Sequence, residues 1–411
     1  MADTDRIPRP VEAIEYLSRK ANVKTEHWDD LKWGEHSHAF TVAHSMEGAV
    51  VDKMHELLNR AMANGESFGS FKKNALEMMR EENWYGGAGH TKDEKGYISW
   101  RLRVIYDTNM KTAFEAGRYR QQMKHAEMRP IWEYVSKLVG KNRRDDHIAL
   151  HGKAFRFDDP FWNENYPPNG WGCECTVITL SESGAEQNDI EVLKSDAEGN
   201  PPAMVDRNGN AVDWKNFAPP EWKYNPGREA LAPNFERYKH IPDEILTTLK
   251  GSYHRDMNEI RPTESEFITL MDTYNQQDYK PLNFLLNVGN LEARRFERMQ
   301  KEGVTDSKII AYDHDLHHGT GDKNERQKVT RNLFKTVYQT IQEPDRIYFE
   351  KGSEKSKMGK AYHFVKSTGD GNVIKVFLRN RRKYNAMKIT TIGVILDDYD
   401  KQPSRYEKIE W

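Results

Sequence analysis

The stretch Asp145–Val177, DDHIALHGKAFRFDDPFWNENYPPNGWGCECTV, decides how this chain of 411 residues is read. It holds the only two cysteines, Cys173 and Cys175, downstream of the paired histidines His147 and His151. Its aromatics, prolines and short β-prone pieces, closing in TVITL, end a helical pattern that fills the sequence before it. After it come turn-rich residues and then a second region with its own order.

Thiolates and imidazoles are suitable Zn²⁺ ligands, and His147 and His151, four apart, would leave one face of a helix together. Cys173 and Cys175 need a turn between them to reach one ion, and a single Cys-x-Cys pair is a weaker signal than Cys-x-x-Cys. A disulfide between positions i and i+2 would close a strained ring. A Cys/His catalytic pair lacks a third, orienting group. Structural zinc on His147, His151, Cys173 and Cys175 therefore stands beside ordinary packing of two small thiols.

Upstream, TVAHSMEGAVVDKMHELLNRAMAN places Val50, Val51, Met54, Leu57, Leu58 and Met62 at helical spacing, with Gly65 as a stop. A second amphipathic helix is predicted near Phe71 to Glu82. Gly86, Gly87 and Gly89 break the pattern before a long helical run from Trp100 to Gly140, with Pro130 a kink or boundary. Downstream, Asn208-Gly209 predicts a hairpin turn, and Trp214, Trp222 and Tyr224 demand burial, so this part continues the first domain and is not a flexible linker.

A polar helical connector is predicted over 241–280. In the last segment, Asn324 to Gln342 carries Val329, Leu333, Val337 and Ile341 on one helical stripe. The runs RIYFE, AYHFVK, NVIKVFL and MKITTIGVIL follow with short turns, which implies antiparallel neighbours. The expected architecture is multidomain: a mainly α domain with a loop-rich β segment over 1–240, the connector, and over 281–411 an α+β domain of one helix on an antiparallel sheet.

Composition bounds the function. With 37% hydrophobic residues the chain can bury real cores, and no apolar run reaches the roughly 18 residues of a membrane span. MADTDRIPRP lacks the basic and apolar regions of a secretory signal, and two cysteines build no disulfide framework, which fits a reducing compartment. The formal net charge of −2 conceals an asymmetry, since Pro281 to Trp411 holds 25 Lys and Arg against 18 Asp and Glu. Lys351 to Lys388 alone holds eleven cations and two acids, a density that attracts phosphate or forms a solvated basic surface.

An ordered series then matches a known family. AFTVA (Ala39 to Ala43), YDTNMKTAFEAGRY (Tyr106 to Tyr119), RPIWEY, the opening stretch, and WKYNPG resemble the Mu gpF-like head morphogenesis proteins of tailed phages, over roughly residues 10 to 235. The resemblance implies a minor capsid protein inside the virion head near the portal. It would act in head assembly or DNA packaging and delivery, with portal and other capsid proteins and packaged DNA as partners, no membrane, and host cytoplasm as the place of assembly. Asp107, Arg118, His147, His151, Pro168, Asn169, Cys173 and Cys175 are then architectural. Relatives often carry Cys-Arg-Cys where this chain has Glu174.

A leading YDHDLHHGTG, a helix, EPDRIYF and strands ending in TTIG give the last domain a pattern that resembles the phage-borne RNases of the barnase, colicin D and RelE group. Metal-independent RNA cleavage needs a base for the 2′-hydroxyl, an acid for the leaving 5′-oxygen and cations for the phosphorane. His314, His318 and His363 are the candidates for proton transfer, with His317 a weaker fourth and Arg379 beside them, although any one histidine is more often structural. Arg346, Lys360, Lys383 and Thr391 would hold the RNA phosphate, although threonine in a strand normally reflects β propensity. Asp313 and Asp315 beside the histidines also permit a divalent metal. Two further readings stay open: a non-catalytic module contacting packaged DNA, and a prophage-derived toxin acting between bacteria.

Overall fold

The structure, a computed structural model, describes residues 10–409 apart from 28, 46–47, 86–95, 140–142, 215–216, 260, 277–278, 283–284, 302–303, 305, 321–327, 356–358 and 382–385. Gly86, Gly87, Gly89 and Lys383 lie outside the described residues. Two compact units divide between Ser252 and Tyr253.

The first unit opens with α1 (Val11–Ser18), a short parallel pair β1 (Ala21–Asn22) and β2 (Ala39–Phe40), then α2 (Gly48–Asn64), α3 (Phe68–Glu81) and α4 (Tyr97–Lys124). Val50, Val51, Met54, Leu58 and Met62 of α2 are buried as their spacing predicts, and Leu57 packs at the margin of the same core. Ser67 starts α3 by accepting the Ser70 N–H at 3.3 Å, a side-chain cap.

The 28 residues of α4 span about 42 Å and join two cores. Ile98, Leu102 and Ala113 pack with α1 to α3, whereas Tyr119 and Met123 enter an aromatic core. At Gly117 a Cβ would lie 2.5 Å from the backbone nitrogen of Ala13, so only glycine lets α1 cross here. The helical run predicted as far as Gly140 is corrected: α4 stops at Lys124, and Pro130 opens a strand. Proline withholds an N–H and disfavours helix at the preceding residue, and IWEYV is the β-branched and aromatic alternation that suits a sheet.

That strand is β3 (Ile131–Val135), followed by α5 (Asp145–Ala149), β4 (Ala154–Arg156), α6 (Trp162–Asn165), β5 (Thr176–Leu180), α7 (Glu182–Gln187), β6 (Val192–Leu193) and α8 (Pro226–Leu231). The sheet order is β5-β3-β4-β6, with β3 antiparallel to β4 and β5. Trp132, Phe155, Phe161, Trp162 and Tyr166 form its core. The Asn208-Gly209 turn is present, with Gly209 at φ 82° and its N–H bonded to Asp206 O at 3.0 Å. Trp222 and Tyr224 are buried, so the turn-rich segment is packed chain.

Helix α9 (Asp243–Glu259) carries the division, and α10 (Glu264–Tyr274) belongs to the second unit. Neither helix of the predicted connector is polar throughout: α9 buries Leu249, Tyr253 and Met257, and α10 buries Phe267, Leu270, Met271 and Tyr274. There follow β7 (Leu285–Asn290), α11 (Ala293–Gln300), β8 (Lys308–Tyr312), α12 (Asp313–Thr320), α13 (Phe334–Gln342), β9 (Arg346–Glu350), β10 (Ala361–Ser367), β11 (Asn372–Arg381), β12 (Ala386–Leu396) and β13 (Tyr406–Lys408). The four predicted strands are β9 to β12, paired antiparallel in sequence order.

The sheet is larger than the predicted meander and is mixed: its order is β13-β9-β10-β11-β12-β8-β7, with β8 parallel to β12. Of the helix predicted over Asn324 to Gln342, residues 324–327 lie outside the described residues, 328–330 are not helical, and α13 begins at Phe334 after a 3-10 turn. Val329 is buried ahead of it, its own buried stripe is Phe334, Val337 and Ile341, and Leu333 is only half-buried. Among the described residues no helix is long and apolar enough to cross a membrane.

Candidate metal centre and basic sheet face

In the first unit, α5 and the loop before β5 bring three donors together. Gly170 and Gly172, both at positive φ, turn the chain so that Cys173 N–H reaches Gly170 O at 3.0 Å. His147, Cys173 and Cys175 are all buried, and their ligand atoms lie within 4.8 Å of one another. His147 Nδ1 is 3.7 Å from Cys173 Sγ and 3.4 Å from Cys175 Sγ, and Ser136 Oγ is 3.5 Å from Cys175 Sγ. The His147 ring lies 4.7 Å from that of Phe217.

Cys175 is pushed well below the ordinary thiol range, first by the hydrogen bond from Cys173 and then by His147 and Ser136, while Cys173 is pushed up by the same pairing and by burial. Glu174 between them turns outward and pairs with Lys137. His151 stands apart: α5 ends at Ala149, so the four-residue spacing no longer shares a helical face. His151 is exposed, and its Nδ1 faces Ser136 N–H at 3.3 Å. Cys173 lines an open cavity of about 1030 Å³ with Gly172, Trp222, Tyr106 and Phe114.

The other motif residues tie elements together. Arg118 Nε donates to Val177 O at 3.0 Å, joining α4 to β5. Asn225 caps α8 by accepting from Gly227 N–H and Arg228 N–H at 3.0 Å, and donates to Trp162 O at 2.9 Å. A Cβ at Gly227 would meet the Tyr119 ring at 2.6 Å, so WKYNPG packs closely on the end of α4.

In the second unit the three proposed proton-transfer histidines do not form one centre. His314 and His318 sit on α12, directly after β8, with ring centroids 6.3 Å apart and His314 Nε2 3.2 Å from Asp315 Oδ1. His363 lies on β10, which β11 separates from β12, the strand that α12 packs against, and no ring contact links it to His314 or His318 among the described residues. Asp313 is fully buried and accepts from Tyr279 OH at 2.7 Å and Leu282 N–H at 2.6 Å, which makes it a structural hub. His317 Nδ1 lies at hydrogen-bond distance from Tyr274 O.

Around His363 the register gathers a different set. Ala361, His363 and Val365 pair with Arg379, Phe377 and Lys375, and Phe377 pairs with Thr391, so these side chains share one face. His363 is 4% exposed; its Nδ1 meets Tyr399 OH at 2.8 Å and its Nε2 is 3.8 Å from Glu350 Oε2. Burial, and then Lys375, Arg405 and Arg379, lower its pKa to about 3. Arg405 lies 3.3 Å from Glu350 Oε1. Glu350, Lys375, Arg405 and Tyr399 thus surround His363, a grouping that sequence reasoning missed; alternation along β11 links Lys375 to Arg379, but nothing local links either to Arg405.

The predicted phosphate binders fare differently. Arg379 NH1 donates to Gly359 O at 2.9 Å and its guanidinium sits 5.2 Å from the Phe377 ring. Arg346 is engaged by Asp397 and, at 3.6 Å, by Asp400. Lys360 Nζ lies 5.8 Å from the Phe349 ring centroid. Thr391 Oγ1 donates to Thr390 O at 2.7 Å.

Comparison with known proteins places the first unit. Residues 52–178 match the family model described as Phage Mu protein F like protein. The chain is 39% identical over 179 residues to the "Mu-like prophage FluMu F protein" of Haemophilus influenzae, covering 42% of each chain. It is 33% identical over 198 residues to the "Putative capsid assembly protein F" of Escherichia phage Mu, covering 47% of this chain and 45% of the relative. The matched region spans less than half the length of these curated relatives. No solved structure matches. Over residues 52–178 the resemblance is thereby shown, since this segment matches the Phage Mu protein F like family.

Proposed function

We propose that the chain is a capsid assembly protein of a tailed phage, working inside the head with portal and other capsid proteins, and that its second unit engages RNA on the β9 to β11 face. One observation carries the first part: the F-like domain, shared with a relative whose name is that of a capsid assembly protein. The test is composition and assembly. The chain is expected to co-purify with heads, and its removal to leave particles that do not mature or fill; a chain absent from purified heads would sink this reading.

The second part rests on Lys375 and Arg379, which the β10/β11 register places on the same face as His363; Arg405 nearby is already paired with Glu350. Cations so placed suit a phosphate, and the half-buried Phe377 ring between Lys375 and Arg379 offers a surface for a base. Burial first, and then Lys375, Arg405 and Arg379, lower the His363 pKa to about 3, so the imidazole is neutral but weakly basic at physiological pH. It would serve as a base only once a bound phosphate answers those cations, with Arg379 stabilising the phosphorane. The reaction needs no metal.

The burial of His363 favours a second reading, in which this face grips packaged DNA without cleaving it. Purified full-length chain incubated with total RNA and tRNA in a chelator separates the two. Cleavage lost on His363→Ala supports the RNase; intact RNA together with retention of duplex DNA supports the binding module.

A further inference from the structure

We propose that His147, Cys173 and Cys175 hold one Zn²⁺ ion as a three-residue site, with the Ser136 hydroxyl beside Cys175 and without His151. Around a tetrahedral zinc, with Zn–S near 2.3 Å and Zn–N near 2.0 Å, sulfur and nitrogen ligands lie about 3.6 Å apart. The two distances from His147 Nδ1, 3.4 and 3.7 Å, bracket that value.

Hydrogen bonding does not account for the same convergence. One Nδ1 has either a single lone pair or a single proton to offer, yet both sulfurs approach it. A disulfide does not account for it either, since both cysteines are free. One ion would serve all three donors, and two thiolates with one Zn²⁺ leave the buried centre without net charge. The softness of the donors selects zinc over magnesium or calcium.

The site's consequence is mechanical. The three ligands join α5 to the loop that carries Pro168, Asn169, Gly170 and Gly172, and Ser136 brings in the segment just after β3. Tyr134 OH, on β3, also bonds Asn169 Oδ1 at 3.0 Å, so the loop is fixed at two points. Cys173 borders the open cavity, the side from which a chelator would reach the ion.

The experiment uses the full chain, purified in reductant with zinc supplied, and reads metal content by mass spectrometry together with the spectrum after Co²⁺ substitution. The expected result is about one zinc per chain, an intense thiolate-to-cobalt band, and thiols that react with a disulfide reagent only after chelation. Cys173→Ser and Cys175→Ser should each lose the band, and His151→Ala should keep both metal and band. Where a variant fails to fold, the wild-type cobalt spectrum and thiol protection still decide. Zinc far below one per chain with no cobalt band overturns the site, and loss of metal in His151→Ala overturns the ligand set.

Discussion

His363 Nδ1 meets Tyr399 OH at 2.8 Å inside a shell of aromatic rings, while Lys375, Arg379 and Arg405 act on the same imidazole. Burial first and these cations second hold its pKa down to about 3, and Glu350 at 3.8 Å does not reverse this. The unfolded chain takes up this proton near pH 6.5, and the folded chain resists it until about 3. His363 therefore contributes stability that is present above pH 6.5 and lost as pH falls toward 3.

His363→Gln should remove that dependence. Between pH 7 and 4.5 the wild type is expected to lose about 2–3 kcal/mol more than the variant, in chemical denaturation followed through the second unit. Parallel losses in both proteins would show that the imidazole is solvated after all.

Lys388 Nζ lies 3.0 Å from Asp315 Oδ2, with both residues buried, and this pair fastens β12 to the first turn of α12. Lys388→Met leaves a buried carboxylate without its cation and should cost about 3 kcal/mol. Adding Asp315→Asn should return part of the loss, because it neutralises the stranded charge. Urea unfolding of the single and double variants checks the sign of the coupling; additive losses would count against a desolvated pair.

Alternation makes β9 to β12 legible in the sequence, because each carries a run of β-branched or aromatic residues between turns. β7 and β8 are not legible there: LLNVGN and KIIAY are short, and β8 joins β12 in parallel, a long-range pairing that no local pattern encodes. The basic window misleads for a related reason. Lys351 to Lys388 holds few acids, but folding brings Asp345 to Lys366 and Asp315 to Lys388 from outside it. The metal-ligand pattern is half legible: His147 and the cysteines converge, whereas His151 depends on a helix that ends two residues too soon.

Gly117 tests the crossing of α1 and α4. In a helix interior alanine is normally better than glycine by about 1 kcal/mol. Here a Cβ would stand 2.5 Å from Ala13 N and 2.9 Å from Ala13 Cα, both backbone atoms that move only with α1. Gly117→Ala should therefore destabilise the first unit, by about 1–3 kcal/mol. Thermal unfolding gives the answer, and a raised midpoint would mean that α1 is free to shift.

The last test separates cations by what already holds them. Lys375 and Arg379 lie on the face around His363, and among the described residues Arg379 is tied to a carbonyl and a ring, not to a carboxylate. Arg346, with as good a claim from sequence, is engaged by Asp397 and Asp400. A guanidinium whose charge is already answered by two carboxylates has little to offer a phosphate. Replacing Lys375 and Arg379 together with Gln should weaken nucleic-acid binding and reduce the salt dependence by about 2 in slope. Arg346→Gln should leave that slope unchanged, even if it lowers stability. Binding isotherms across a salt series read both quantities, and a slope that falls for Arg346→Gln but not for the double variant would move the nucleic-acid surface off the β9 to β11 face.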